Sequence, residues 1–191
     1  MVARAGALRI RRKHKGDFAQ DYAWRLDPEL ARFDGNAPTD MSFEEFVRRV
    51  EPEALWDGHS RKSFSIETQD GVHIGNVMFY NVGPAGERAE IGLTIADADW
   101  QGRGNGAALT VAFLRYLWTH HPFRRIDLRT LAWNERAVRC FARAGFEEVG
   151  RAERAGEAVI CMEARREWWL LWDAEGRFDF PAGRDGGDSG V

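Results

Sequence analysis

Cysteine is nearly absent from this chain. Its two residues, Cys140 and Cys161, sit inside regular apolar patterns and form neither a C-x-x-C pair nor a secreted disulfide framework, which points to a reducing compartment. Also missing are an apolar h-region at the N-terminus and any run of roughly eighteen apolar residues, so neither export nor membrane insertion is expected. A cytoplasmic location follows. Charge of one sign is not in excess: 27 basic against 30 acidic residues leave a net charge of -3, with no general pull toward nucleic acid or a membrane. The basic run Arg9 to Lys15 is the exception, and it reads as an exposed edge strand protected by charge, with a nucleic-acid contact as the alternative. His120 and His121 have no nearby set of Cys, Asp or Glu, so no metal is expected.

What is present suffices for one domain, since 191 residues of ordinary apolar content can bury a full core. Residues 7–12 read as a first strand, and Asp17 caps a helix to about Arg25 that Asp27-Pro28 ends. After the turn-rich segment Phe33 to Asp40, a capping box over Ser42 to Glu45 opens a second helix to about Val50. Strands follow at 62–68 and 72–82 around the hairpin signal Asp70-Gly71, then at 88–95. Gly92 in the last of these marks a bulge or the close approach of another backbone. A helix at 104–119, a strand at 124–130, a helix from Asn134 to Ala144 and a hairpin through Ala155-Gly156 complete the pattern. The cluster Trp168 to Trp172 must dock on the chain's own core or form a subunit interface, as in a homodimer. The Gly- and Asp-rich tail, 173–191, should be mobile beyond a domain of residues 1–172.

The informative stretch is 89–107, AEIGLTIADADWQGRGNGA. Three alternate glycines, Gly102, Gly104 and Gly106, let the backbone bend and gather N–H groups into a concavity at a helix N-terminus, which favours a phosphate. The Walker pattern is excluded, because Ala107-Ala108 stand where Lys and Ser or Thr are needed. The dinucleotide fingerprint is met by Gly102, Gly104 and Ala107 with Asp127 downstream, but five residues separate the loop from its strand and Asp127 sits within a strand.

Gln101 to Gly106 resembles the Q/R-x-x-G-x-G/A motif of the GNAT acetyltransferase superfamily, whose loop holds the pyrophosphate of acetyl-CoA. Downstream, Asn134 to Val138 and Phe141 to Phe146 are similar to its second signature, N-x-x-A-I/V followed by Y-x-K-x-G-F. Most of residues 7–167 can be laid on that fold, within the branch of the Rim-type ribosomal protein N-terminal acetyltransferases. The resemblance implies a mixed α/β fold: a largely antiparallel sheet flanked by helices, with a splayed parallel strand pair at the cofactor site. It further implies an acetyl-CoA-dependent N-acetyltransferase working by direct transfer in a ternary complex, with acceptor choice in residues 26–60. A protein or peptide N-terminal α-amine is the leading acceptor, and polyamines, amino acids and aminoglycosides follow. An acyl-CoA-binding protein without turnover is the non-enzymatic alternative, and a nicotinamide oxidoreductase the third.

By the same resemblance, backbone groups of Gln101, Gly102, Arg103, Gly104, Asn105 and Gly106 take the pyrophosphate, with the Arg103 side chain as supporting charge. Leu93, Thr94 and Ile95 take pantetheine and the thioester oxygen, and Asn134 reaches the pantetheine arm, though it is also a plain helix N-cap. Glu90 holds the place of the family's general base, its pKa raised by partial burial; alternatively it is a structural carboxylate paired with an arginine such as Arg88 or Arg129, and deprotonation relayed by water is the third possibility. Phe141 stands where many members carry the tyrosine that protonates the leaving thiolate. The thiolate then leaves unprotonated, or Tyr116 or a water donates, or no turnover occurs.

Overall fold

The computed structural model describes residues 1–55 and 60–180, which form eight strands and six α-helices. A hairpin of β1 (Ala3–Ala5) and β2 (Leu8–Arg12) leads to α1 (Phe18–Leu26), α2 (Pro28–Phe33) and α3 (Phe43–Leu55). The meander β3 (Lys62–Thr68), β4 (His73–Tyr80) and β5 (Arg88–Ile95) follows, then α4 (Asn105–His120), β6 (Arg125–Leu131) and α5 (Glu135–Arg143). The hairpin β7 (Glu147–Arg154) and β8 (Glu157–Arg165) and the helix α6 (Arg166–Ala174) close the order. All strands join one sheet in the order β1-β2-β3-β4-β5-β6-β8-β7, antiparallel except for the pair β5 and β6. Among the described residues no helix is long and apolar enough to cross a membrane.

The alternation of each strand sets its two faces. On β4 and β5 the residues Val77, Phe79, Ala89 and Ile91 are buried in the main core together with Leu109, Phe113 and Leu117 of α4. The opposite face carries Asn76, Met78 and Tyr80 across from Thr94, Gly92 and Glu90, and these six line a large cleft. A smaller cluster of Phe18 and Phe46 with Tyr22, Val47 and Val50 joins α1 to α3.

Several local readings change. Asp27-Pro28 ends α1 but also starts α2: the Asp27 carboxylate accepts from the N–H groups of Glu29 and Leu30, and Pro28 fills the first helical position. The Ser42 capping box is formed, with Glu45 accepting from Ser42 N at 2.9 Å, yet α3 runs on through Pro52 to Leu55. The basic run is no exposed edge, because β1 covers β2. Arg11 forks onto Asp17 at 2.7 and 2.8 Å, and Lys13 reaches Asp21 at 2.5 Å and Asn76 at 2.7 Å. Burial pushes the Asp17 carboxyl up, but Arg11, the His14 N–H and Ser65 hold it well below the usual range. These buried pairs pin α1 to the sheet.

Gly92 sits in regular register opposite Met78, and the strand pairing shifts instead at Ile66/Glu67 and Glu148/Gly150. The close backbone approach belongs to Gly75, where an added Cβ would run into the Thr94 carbonyl. The aromatic cluster is α6. Trp169 is fully buried, stacks on Phe178 at 4.7 Å and donates from its indole N–H to the Ala144 carbonyl at 2.8 Å. The expectation of a mobile tail from Asp173 therefore needs correction over 173–180: Asp173 is bound by Arg115 at 2.6 Å and Phe178 is 2% exposed, so apolar burial fixes this stretch. Residues 181–191 lie outside the described residues, as do 56–59 of the segment to which acceptor choice was assigned.

Candidate active site

The parallel pairing of β5 with β6 extends only from Arg88 to Glu90. Beyond Glu90 the strands part, so from Ile91 to Ile95 β5 stays paired with β4 on one edge while its other edge faces an open gap with no partner strand among the described residues. That gap is the centre of a cleft of about 1180 Å³ lined by both sheet faces of the split, by α1 and α2 on one side and by the loop before α4 and the start of α5 on the other. Unpaired strand edges need partners for their N–H and C=O groups, and an extended ligand chain can supply them.

The glycine loop lies at one end of the cleft. Gly102 and Gly104 have φ of +73° and +82°, the left-handed region that glycine adopts without a Cβ penalty. None of the backbone N–H groups of residues 102–107 donates to another described residue, and the first helical bond at this end runs from Ala108 N to Gly104 O at 3.1 Å. These are orphan donors at a helix N-terminus. The Gln101 side chain ties the loop to the strand by donating to the Ile95 carbonyl at 2.7 Å, and Asn105 donates to Trp100 O at 3.0 Å. Gln101, Gly102, Gly104 and Gly106 line the cleft, whereas Arg103 and Asn105 stand outside its lining. Gly106 permits α4 to meet α5, since a Cβ there would come within 2.8 Å of Cys140 Sγ. Burial pushes the Cys140 thiol up to about 11, so it stays protonated.

Leu93, Thr94 and Ile95 line the cleft, and so do Asn134 and Phe141. Asn134 caps α5 by accepting from Ala137 N at 3.2 Å, which leaves its amide N–H groups available to the cleft. Phe141 is 8% exposed and packs edge-on against Phe146. Tyr116 does not line this cleft: it stacks on His120 at 4.5 Å and borders a surface depression with Val2 and Ala3. It is no substitute acid. A cationic stripe that the sequence reading passed over, Arg136, Arg139 and Arg143, runs along the cleft side of α5, and its helical spacing was the available signal.

Glu90 lies on the cleft face but is saturated. Its Oε1 accepts from the Tyr80 hydroxyl and Arg129 Nε, both at 3.0 Å, and its Oε2 from Asn81 at 3.1 Å and Arg129 Nη2 at 2.8 Å. Burial pushes its pKa up, yet the bonds from Arg129, Asn81 and Tyr80 outweigh that and hold it below the ordinary value. The expected upward shift is corrected by this finding, and the pairing with Arg129 is the alternative that is formed. Arg88 instead pairs with Asp127, which Arg125 also reaches at 3.1 Å, so the ribose ligand of a dinucleotide site is already engaged. Tyr80, half-buried beside the Glu90 charge, is pushed up to about 12 and remains a donor.

A second carboxylate lies nearer the gap. Asp34, just after α2, accepts from the Thr94 hydroxyl at 3.1 Å and stands 3.6 Å from Arg25. Its place in the cleft wall raises its pKa by partial desolvation although 37% of the side chain stays exposed, and Thr94, Arg25 and Arg154 pull it down less strongly. Among the described residues no group of three or more His, Cys, Asp or Glu side chains could hold a metal ion.

Residues 7–147 match the model of the acetyltransferase (GNAT) domain. No curated protein matches the chain. Among solved structures, the fold is similar to a spermidine N-acetyltransferase from Vibrio cholerae in complex with CoA and spermine. That similarity spans 86% of this chain and 98% of that one at 20% identity, with a TM-score of 0.76. Aminoglycoside acetyltransferase AAC(6')-Ib in complex with coenzyme A has a similar fold over 86% of this chain and 98% of that one, at 22% identity and a TM-score of 0.72. A second structure of AAC(6')-Ib, with coenzyme A and kanamycin, gives a TM-score of 0.71 at 20% identity.

Proposed function

Because the chain belongs to the acetyltransferase (GNAT) domain family, whose model spans residues 7–147, we propose that it moves an acetyl group from acetyl-CoA directly to a primary amine of a small molecule. The observation that carries this reading is the open edge of β5 from Ile91 to Ile95, running up to the unpartnered N–H groups of residues 102–107. The loop takes the pyrophosphate, helped by the α4 dipole. The pantetheine arm lies along the open edge within reach of Asn134, and Leu93 and Ile95, whose N–H groups point away from β4, offer them to the thioester oxygen, where negative charge develops in the transition state. The arginines of α5 face the more distal phosphate of the cofactor.

The acceptor enters from the side of α1 and α2. A protein N-terminus, which the Rim-type resemblance favours, gives way to a small amine because the structural neighbours are named for spermidine and aminoglycosides. The acceptor side differs from an acidic polycation site. Asp21, Asp34 and Glu90 each face a cation, Lys13, Arg25 and Arg129, and Arg49 and Arg154 also line the cleft. That balance supports an amine bearing its own carboxylate or phosphate over a polyamine.

Thermal stabilisation by CoA and acetyl-CoA, followed by thiol release with amino acids, aminoglycosides, polyamines and short peptides, tests this. Stabilisation should rise with ligand concentration, and release should appear with a small amine. Stabilisation without release from any amine would favour the non-catalytic acyl-CoA binder that Phe141 allows; no stabilisation would sink the reading.

A further inference from the structure

We propose that Asp34 is the carboxylate that takes the proton from the acceptor ammonium, in the place that the sequence pattern gives to Glu90. The inference rests on the acetyltransferase reading of this same cleft.

The argument is one of free lone pairs. Glu90 has four donors on its two oxygens, two of them from one guanidinium, so an ammonium would have to displace part of that set to reach it. Asp34 has one hydrogen bond, on Oδ1 from Thr94. Among the described residues, the cation near its Oδ2 is Arg25, at 3.6 Å, beyond a hydrogen bond. Both oxygens therefore keep capacity to accept, and 37% of the side-chain surface remains open. The anchor is also well placed: Thr94 belongs to the open edge of β5, so its hydrogen bond ties the carboxylate to the strand that lines the gap. Thr94 of β5 anchors it by a hydrogen bond, Arg25 of α1 flanks it at 3.6 Å, and Arg154 of β7 adds a longer-range positive charge. The titration directions agree with this division, Asp34 being raised and Glu90 lowered. A base gains as its pKa approaches that of the working pH.

The step balances. One N–H proton of the ammonium passes to Asp34 and on to water. The nitrogen lone pair then attacks the thioester carbon, the C–N bond forms, and negative charge builds on the carbonyl oxygen. Collapse breaks the C–S bond, and a second N–H proton goes to the departing sulfur, giving amide and CoA thiol. No side-chain acid is required at Phe141, since a thiol of pKa about 8.5 is a fair leaving group.

The test uses the full chain with Asp34→Asn, Asp34→Glu and Glu90→Gln, and whichever amine releases thiol from the wild type. Asp34→Asn should keep the CoA-induced rise in melting temperature and the KM for acetyl-CoA, lose about a hundredfold or more in kcat, and lose the acid limb of the kcat/KM profile. Asp34→Glu should recover part of the rate and the limb. Carbon-13 NMR of the wild-type carboxyls, with the Asp34 signal identified by its loss in Asp34→Asn, should give a midpoint above that of an ordinary aspartate. CoA binding with kcat of Asp34→Asn within threefold of wild type, or a midpoint at or below the ordinary value, overturns the assignment alone. A wild type that neither binds CoA nor turns over removes the acetyltransferase reading and the base with it.

Discussion

Arg129 holds Glu90 through two parallel hydrogen bonds, Nε to Oε1 at 3.0 Å and Nη2 to Oε2 at 2.8 Å, across the last paired rung before β5 and β6 part. The pair closes the narrow end of the split as a charged clasp, with Tyr80 and Asn81 completing the carboxylate's partners. Glu90→Gln keeps the shape but cannot accept at both ends, so it leaves one set of donors short. We expect a loss of about 1–3 kcal/mol in urea unfolding at neutral pH. The sign of the pH dependence is fixed by the depressed pKa: the contribution is complete above the ordinary glutamate value and fades as pH falls through the lower, folded one. Equal stability of variant and wild type at pH 7 would show that the clasp is worth nothing.

Asp17 offers the larger acid-sensitive effect. It is 3% exposed and bound by both arms of Arg11 and by Ser65. Asp17→Asn takes the charge away from both arms of Arg11, which keeps Glu67 as its second carboxylate, and should cost about 1–3 kcal/mol near pH 7. Its folded pKa lies well below the usual one, so the gap to wild type should shrink by about 1.4 kcal/mol per unit as pH drops below the ordinary aspartate value. Chemical denaturation of both proteins from pH 7 to pH 3 measures this. A gap that stays constant over that range would refute it.

How much of this site could be read beforehand varies with what each residue answers to. Gln101 to Gly106 was legible because backbone curvature demands glycine at particular positions, and Asn134 because a cap has few possible residues. The splay itself was legible only through resemblance, since nothing local to Ile91 to Ile95 says which neighbour it loses. Glu90 illustrates the limit. Its burial was foreseeable from the strand period, but its partner is 39 residues away, and the partner reverses the sign of its pKa shift. Asp34 was hidden in a turn-rich segment whose composition explains its backbone and says nothing of Thr94. Phe178 was hidden by the Gly and Asp around it, which gave the stretch a mobile composition although one ring anchors it.

The glycine loop separates affinity from stability. Gly104 has a φ of +82° and no atom within 4 Å of an added Cβ, so Gly104→Ala meets strain without a clash. A cost of about 1–2 kcal/mol in folding follows from the left-handed conformation. Relaxation toward negative φ would turn the N–H groups at the start of α4, and CoA affinity should fall about tenfold or more, read by calorimetry. Unchanged affinity would mean that these N–H groups do not hold the cofactor.

Gly106 probes the junction of α4 and α5 by a different physical route. Its φ is not in the left-handed region, so Gly106→Ala carries little backbone strain; what opposes the new methyl is Cys140 Sγ, 2.8 Å from the Cβ position. Both residues line the cleft, so any shift that relieves the contact moves the loop relative to the start of α5 and its cap Asn134. The single variant should lose about 1–3 kcal/mol and bind CoA less tightly. Cys140→Ala alone should cost a smaller amount through the lost sulfur contacts, and adding it to Gly106→Ala should restore part of both stability and affinity, because the two side chains compete for one volume. A double-mutant cycle in thermal melts, with and without CoA, reads the coupling. Strict additivity would place the two helices too far apart to share that volume, and the packing argument for glycine at position 106 would then fail.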